Sequence, residues 1–190
     1  MRNIAIFGSG SGTNAENVIK FFAKSKTIRV AVVLSNKENA GIHFRARNLD
    51  VPSFTFSFTE FKAGEKILDK LKEYNVDFIV LAGFMLLISP VIIDAFKDRI
   101  INIHPALLPK YGGKGMYGSF VHDAVVAAKE QETGITIHYV NACYDEGAII
   151  FQATCPVNPQ DTSDDVAAKV HALEYEYYPQ VIERLVHGLV

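Results

Sequence analysis

Apolar residues along the first hundred positions fall into short continuous runs, and stretches with helical spacing separate them. "NIAIF" (3–7), "IRVAVVL" (28–34) and "DFIVLAGF" (77–84) read as buried strands, with "FTF" (54–56) as a weaker one. Between them the spacing predicts a helix from Asn14 through about Ser25, a short one over 41–49, and a longer one over 59–74. The last carries Phe61, Ile67, Leu68 and Leu71 on one face. Another short helix is expected after Pro90. Strands apolar on both faces and alternating with helices are the pattern of a parallel sheet covered on both sides. The expectation is therefore an α/β fold with a Rossmann-like, doubly wound, mostly parallel sheet.

The second half reads differently. "GITIHYV" (134–140) and "AIIFQATCPV" (148–157) are joined by the turn "NACYDEG", which predicts two antiparallel strands added to the sheet. A long helix is expected from about Ser163, opened by "TSDD", where a capping hydroxyl and acids complement the positive helix end. Its packing stripe reads as Val166, Val170, Leu173, Tyr177 and Val181, with a kink at Pro179. No repeat or linker divides the chain, so a single catalytic domain over 1–190 is expected.

Composition narrows the function classes. With 49% hydrophobic and 21% charged residues the chain is an ordinary globular sequence, and a net charge of −2 supplies no general field for nucleic acid or anionic membrane. No run approaches the roughly 20 apolar residues of a membrane span. The start, "MRNIAIFGSG", runs as a strand into glycine rather than as a secretory leader, and Cys143 and Cys155 lack CxxC spacing. Reduced packing cysteines and a cytoplasmic location are expected.

Candidate chemistry sits where the strands end. "GSGSGTN" (8–14) joins the first strand to the first helix, where glycines allow close approach of an anion and a helix start offers free N–H groups. The P-loop Lys-Ser/Thr pair is missing, Thr13 interrupts GxGxxG, and no acid follows the second strand. A single phosphate is favoured over a dinucleotide, and a plain tight turn is the competing reading. In "IINIHPALLPKYGG" (100–113), Asn102 and His104 share one face of a strand, and Pro105 restrains the imidazole. An amide beside a titratable ring suits acyl transfer, since one can stabilise an oxyanion and the other can move a proton. A hydrogen-bonded pair at a strand exit is the alternative. Asp145, in "YDEGA", can reach the same edge and raise the His104 pKa, although Asp-X-Gly is also simple turn chemistry. The His, Asp and Cys residues are too scattered for a metal cluster, and His138 reads as a core residue inside a strand.

"LAGFM", "NIHPALLPKY", "TGITIHYV" and "DEGAIIFQ", following "SGSGTN", together resemble the phosphoribosylglycinamide formyltransferase family across essentially the whole chain. The resemblance implies formyl transfer from 10-formyltetrahydrofolate to the amine of glycinamide ribonucleotide in purine synthesis, on a Rossmann-like domain without a metal. It implies Asn102, His104 and Asp145 as catalytic residues, and Gly12, Thr13 and Asn14 as the phosphate turn. Glu174, with His171 one turn earlier, falls to the substrate amine and ribose side. Met85, Leu86, Leu87 and Ile88, with Asn141 and Tyr144, fall to a folate slot. Leu86 stands where many relatives have Arg, and the stretch 112–125, which carries His122, is longer and richer in glycine than usual. The expected partners are these two small molecules, without nucleic acid or membrane, in a monomer or a homodimer. Methionyl-tRNA formyltransferase would need an added RNA-binding domain, and formyltetrahydrofolate hydrolase an N-terminal regulatory one. A non-catalytic sugar-phosphate sensor would explain the glycine turn but not Asn102, His104 and Asp145 together.

Overall fold

A computed structural model describes residues 1–188 of the chain. In chain order the elements are β1 (Arg2–Phe7), α1 (Thr13–Phe22), β2 (Ile28–Ser35), α2 (Gly41–Asn48), β3 (Ser53–Thr55), α3 (Phe58–Ala63) and α4 (Glu65–Glu73). They continue with β4 (Phe78–Leu81), α5 (Pro90–Ala95), β5 (Ile100–His104), α6 (Ser119–Ala127), β6 (Glu132–Tyr139), β7 (Ile149–Pro156) and α7 (Ser163–Val186). One sheet has the order β3-β2-β1-β4-β5-β6-β7. Strands β1 to β5 run parallel, and β6 and β7 are antiparallel additions at one edge. The doubly wound fold with antiparallel C-terminal strands is therefore as expected.

Period-two alternation distributes the strand residues between two cores. Ile4, Ile6 and Val80 pack with Val18, Ile42, Val125 and Val170 from α1, α2, α6 and α7. Ala5, Phe7, Ile79 and Leu81 pack with Phe61, Ile67, Leu71 and Ile92 from α3, α4 and α5. After β3 the chain crosses back to lay β4 on the other side of β1. That reversal leaves a crevice at the carboxyl ends of β1 and β4, where open α/β sheets bind ligands.

Four local readings are corrected. The helix expected over 59–74 is two, because Gly64 adopts φ 84° and closes α3 through its N–H to the Glu60 carbonyl before α4 begins. The strand expected over 77–84 stops at Leu81, and the chain turns at Gly83 with φ 67°. Helix α1 opens at Thr13 and ends at Phe22, three residues short of Ser25. In α7 the Thr162–Asp165 capping box forms as the sequence suggests, but Glu174, Tyr178 and Ile182 are buried where Leu173 and Tyr177 were expected. The reason is that the Tyr178 hydroxyl reaches the Leu81 carbonyl at 2.7 Å, while Tyr177 stays half-buried against Phe151. The helix runs through Pro179 without interruption.

Candidate active site

A cavity of about 550 Å³ opens at the carboxyl ends of β1, β4 and β5. The turn Gly10–Asn14 forms one wall and residues 82–85 another, with Asn102, His104 and Pro105 at its floor. Residues 113–118, His122, Tyr144, Asp145, His171 and Glu174 complete it.

Strand β5 delivers Asn102 and His104 to the same face, as its alternation requires. Antiparallel pairing sets Asn102 directly opposite His138 on β6, so both side chains meet on one face. The Asn102 amide lies 3.2 Å from His138 Nε2, and His138 Nδ1 donates to the Tyr139 carbonyl at 2.8 Å. The contact with His138 holds the plane of the Asn102 amide. Buried His104 donates from Nε2 to the Tyr111 carbonyl at 2.7 Å, which leaves Nδ1 facing Asp145 Oδ2 at 3.5 Å.

Asp145 reaches this position because the turn folds back over the sheet edge. Gly147 allows it, since a Cβ there would stand 1.6 Å from the Tyr139 carbonyl oxygen. Asp145 itself takes φ 56°, a left-handed conformation that Asp tolerates better than most residues. Its carboxylate accepts the Gly113 N–H at 3.0 Å and lies 3.6 Å from His138 Nε2. One carboxylate thus spans both imidazoles and anchors the glycine-rich segment.

The electrostatics differ from the sequence reading. Burial pushes the His104 pKa down, and it outweighs the upward pull of Asp145 and of the Tyr111 carbonyl. The His104 pKa is thus lowered, where an elevated one was expected. The Asp145 carboxyl is raised by burial, but the His138 hydrogen bond, the His104 charge and the Gly113 N–H together bring it below its ordinary range.

Gly12, Thr13 and Asn14, the expected phosphate turn, line the same cavity, with Gly12 as the left-handed start of α1 at φ 79°. Asn14 commits one of its two amide hydrogens to Glu174, Nδ2 donating to Oε2 at 2.8 Å. That oxygen also accepts from His171 Nδ1 at 2.8 Å, and this hydrogen bond to Glu174 raises the His171 pKa. Glu174 is 4% exposed, so α7 carries a buried carboxylate into the cavity wall. Asn14 Oδ1 and His122 Nδ1 are buried without a protein partner. Both residues line the cavity and have hydrogen-bonding capacity left for a ligand.

Of the expected folate residues, Met85 and Tyr144 line the cavity. Leu86, Leu87, Ile88 and Asn141 do not. Ile88 is 2% exposed within the core beneath β4, and Leu86 packs against that core. Leu87 points to the surface, and Asn141 accepts the Cys143 N–H at 2.9 Å in its own turn. Folding of the chain past Gly83 turns the side chains of Leu86, Leu87 and Ile88 away. His138 is the buried strand residue the sequence suggests, and its contact with Asn102 is what sequence reasoning missed; the signal was Thr136 and His138, two polar positions at period two inside an apolar strand. Among the described residues, no cluster of three His, Cys, Asp or Glu side chains is arranged to hold a metal ion, and no helix is long and apolar enough to cross a membrane.

Residues 2–182 match the family model described as formyl transferase. The chain is 36% identical to the phosphoribosylglycinamide formyltransferase of Haemophilus influenzae, over 99% of this chain and 89% of that protein. It is 38% identical to the chloroplastic phosphoribosylglycinamide formyltransferase of Vigna unguiculata, over 97% of this chain, and spans 61% of that longer protein. The crystal structure of glycinamide ribonucleotide transformylase 1 from Symbiobacterium toebii superposes with a TM-score of 0.89 at 33% identity, covering 99% of this chain and 89% of that one. A matched model over nearly the whole length, on a sheet that places an amide, an imidazole and a carboxylate in one crevice, identifies the chain as a member of the formyl transferase family.

Proposed function

We propose that the protein transfers the formyl group of 10-formyltetrahydrofolate to the amine of N1-(5-phospho-D-ribosyl)glycinamide, a step of purine biosynthesis, with residues 1–190 acting as one catalytic domain. The observation that carries this reading is the grouping of Asn102, His104 and Asp145 in one cavity with the glycine turn. The turn Gly12–Asn14 takes the phosphate on its free N–H groups. Phe84, Met85, Met116 and Tyr144 offer an apolar wall that suits a flat heterocycle. Glu174, held by Asn14 and His171, faces the amine end of the ribonucleotide.

The amine nitrogen attacks the formyl carbon, and the carbonyl oxygen gathers charge as the carbon becomes tetrahedral. Asn102 donates to that oxygen, its amide plane fixed by His138. The amine must lose a proton as the new C–N bond forms, and neutral His104 takes it at Nδ1. The imidazolium so formed lies against Asp145, which stabilises it where it arises. Collapse then expels the folate nitrogen, which needs a proton back, and the same imidazolium returns it. In this reading Asp145 stabilises the transient charge and does not itself change protonation. The protein works in the cytoplasm, where free thiols such as Cys143 and Cys155 persist.

Incubation with glycinamide ribonucleotide and formyl-folate, followed by mass spectrometry of the ribonucleotide, tests the reading. A gain of one formyl group supports it. Release of formate from the folate without a formylated amine would replace it with a hydrolase.

A further inference from the structure

Arg45 lies on α2, outside the cavity and about one third exposed, yet its contacts bear on the turn that lines it. Its Nε donates to the Ser11 carbonyl at 2.9 Å, and its guanidinium pairs with Glu16 in the first turn of α1. One residue before, the Gly10 carbonyl accepts the Ile42 N–H at 3.3 Å. Two successive carbonyls of the turn are thus captured from the α2 side. In a trans peptide the N–H points opposite to the C=O of the same plane. Capturing the Gly10 and Ser11 carbonyls therefore turns the N–H groups of Ser11 and Gly12 away from α2, to the side on which these residues line the cavity. Among the described residues, none of the N–H groups from residues 10 to 14 meets a protein acceptor. The turn is pressed close as well: a Cβ on Gly41 would lie 2.8 Å from the Ser11 oxygen, and one on Gly12 would lie 2.5 Å from Ile42 Cα.

We propose that Arg45 is a positioning residue for anion binding. It fixes the peptide planes of the glycine turn from behind, so that two N–H groups present themselves together to the ribonucleotide phosphate. Glu16 offsets its charge, so the role is orientation rather than direct attraction. The inference rests on the phosphate assignment made under the proposed function, and it separates Arg45 from the reacting atoms.

Arg45→Met removes both hydrogen-bonding partners while keeping an extended side chain. The KM for glycinamide ribonucleotide is expected to rise about tenfold, with the KM for formyl-folate and kcat within twofold. Arg45→Lys, which keeps one donor and the charge, recovers part of the loss. Equal rises in both KM values, or an unchanged ribonucleotide KM, would overturn the proposal. If Arg45→Met does not fold, Arg45→Lys carries the test by itself, through a severalfold rise confined to the ribonucleotide. Inorganic phosphate gives a second measurement that does not depend on the identity of the reaction: it should raise the Tm of the wild-type protein and raise that of the Met variant less. No shift for the wild type, or the same shift for both, also overturns it. A wild-type enzyme that forms no formylated product but is stabilised by phosphate would count against the proposed function and leave this inference standing.

Discussion

Replacing Asp145 by Asn keeps the shape of the turn and removes one charge 3.5 Å from His104 Nδ1. At that distance, and an effective dielectric constant of about 20, an imidazolium–carboxylate pair is worth about 4.7 kcal/mol. That energy caps what the pair can contribute to stabilising charge formed on His104, a ceiling of roughly 3,000-fold in rate. It lies inside the 10²–10⁴ range expected for positioned acid–base help. The Gly113 N–H can still be accepted by the Asn oxygen, so the 113–118 segment should keep its place. Loss of Asp145 also removes an upward pull on a histidine whose pKa burial already lowers. In the proposed mechanism neutral His104 is the base, so kcat/KM falls on the acid side as the ring is protonated. In Asp145→Asn that acid limb should move to lower pH, while the plateau drops by a factor on the order of 10²–10³. Stopped-flow or steady-state rates across pH 4.5 to 9 measure both quantities. His104→Ala and the double variant should lose about as much as each other, since residues acting as a unit are not additive. A near-native plateau, an unmoved acid limb, or fully multiplicative losses in the double variant would refute the coupling and leave Asp145 as a turn anchor.

Four further outcomes follow from particular contacts. Gly10→Val places its Cβ in open space at the cavity wall and should raise the ribonucleotide KM about tenfold, about 1.4 kcal/mol, with the folate KM unchanged. Gly12→Val, whose Cβ would strike Ile42, should instead lower Tm and disturb both substrates. Glu174→Gln removes the carboxylate that raises the His171 pKa. That stabilisation is present below the unfolded histidine pKa of about 6.5 and is lost as pH rises through the folded value. Chemical denaturation should therefore show the variant destabilised more at pH 5 than at pH 8.5. Thr162→Ala removes the capping-box hydroxyl of α7 and should cost about 1 kcal/mol, read as a fall in Tm of about 2–4 °C by calorimetry.

Much of this protein is legible in the order of its residues. Strand runs apolar on both faces can be buried only in a covered parallel sheet, so the fold class follows from periodicity. The glycine turn and the Asn102–His104 pair follow from the same logic, because a strand end and a period of two fix their edge and shared face. Other features depend on distances that no local pattern contains. Asn14 and Glu174 are separated by most of the chain, and only the docking of α7 beside α1 brings them within 2.8 Å. Rotation of α7 was hidden because the hydrophobic stripe fits two neighbouring faces; the hydrogen bond of Tyr178 to Leu81 chooses between them. His138 is the buried strand residue its position suggests, but only the β5–β6 register shows that it stands opposite Asn102. The residues of "GFMLLIS" (83–89) are apolar enough for either a slot or a core, and the turn at Gly83 directs Ile88 to the core. The sequence names the acid beside His104, but the direction of the pKa depends on how much water the fold removes. Desolvation is a property of the surrounding packing, which is why only the tertiary structure reveals that the pKa of this histidine is lowered.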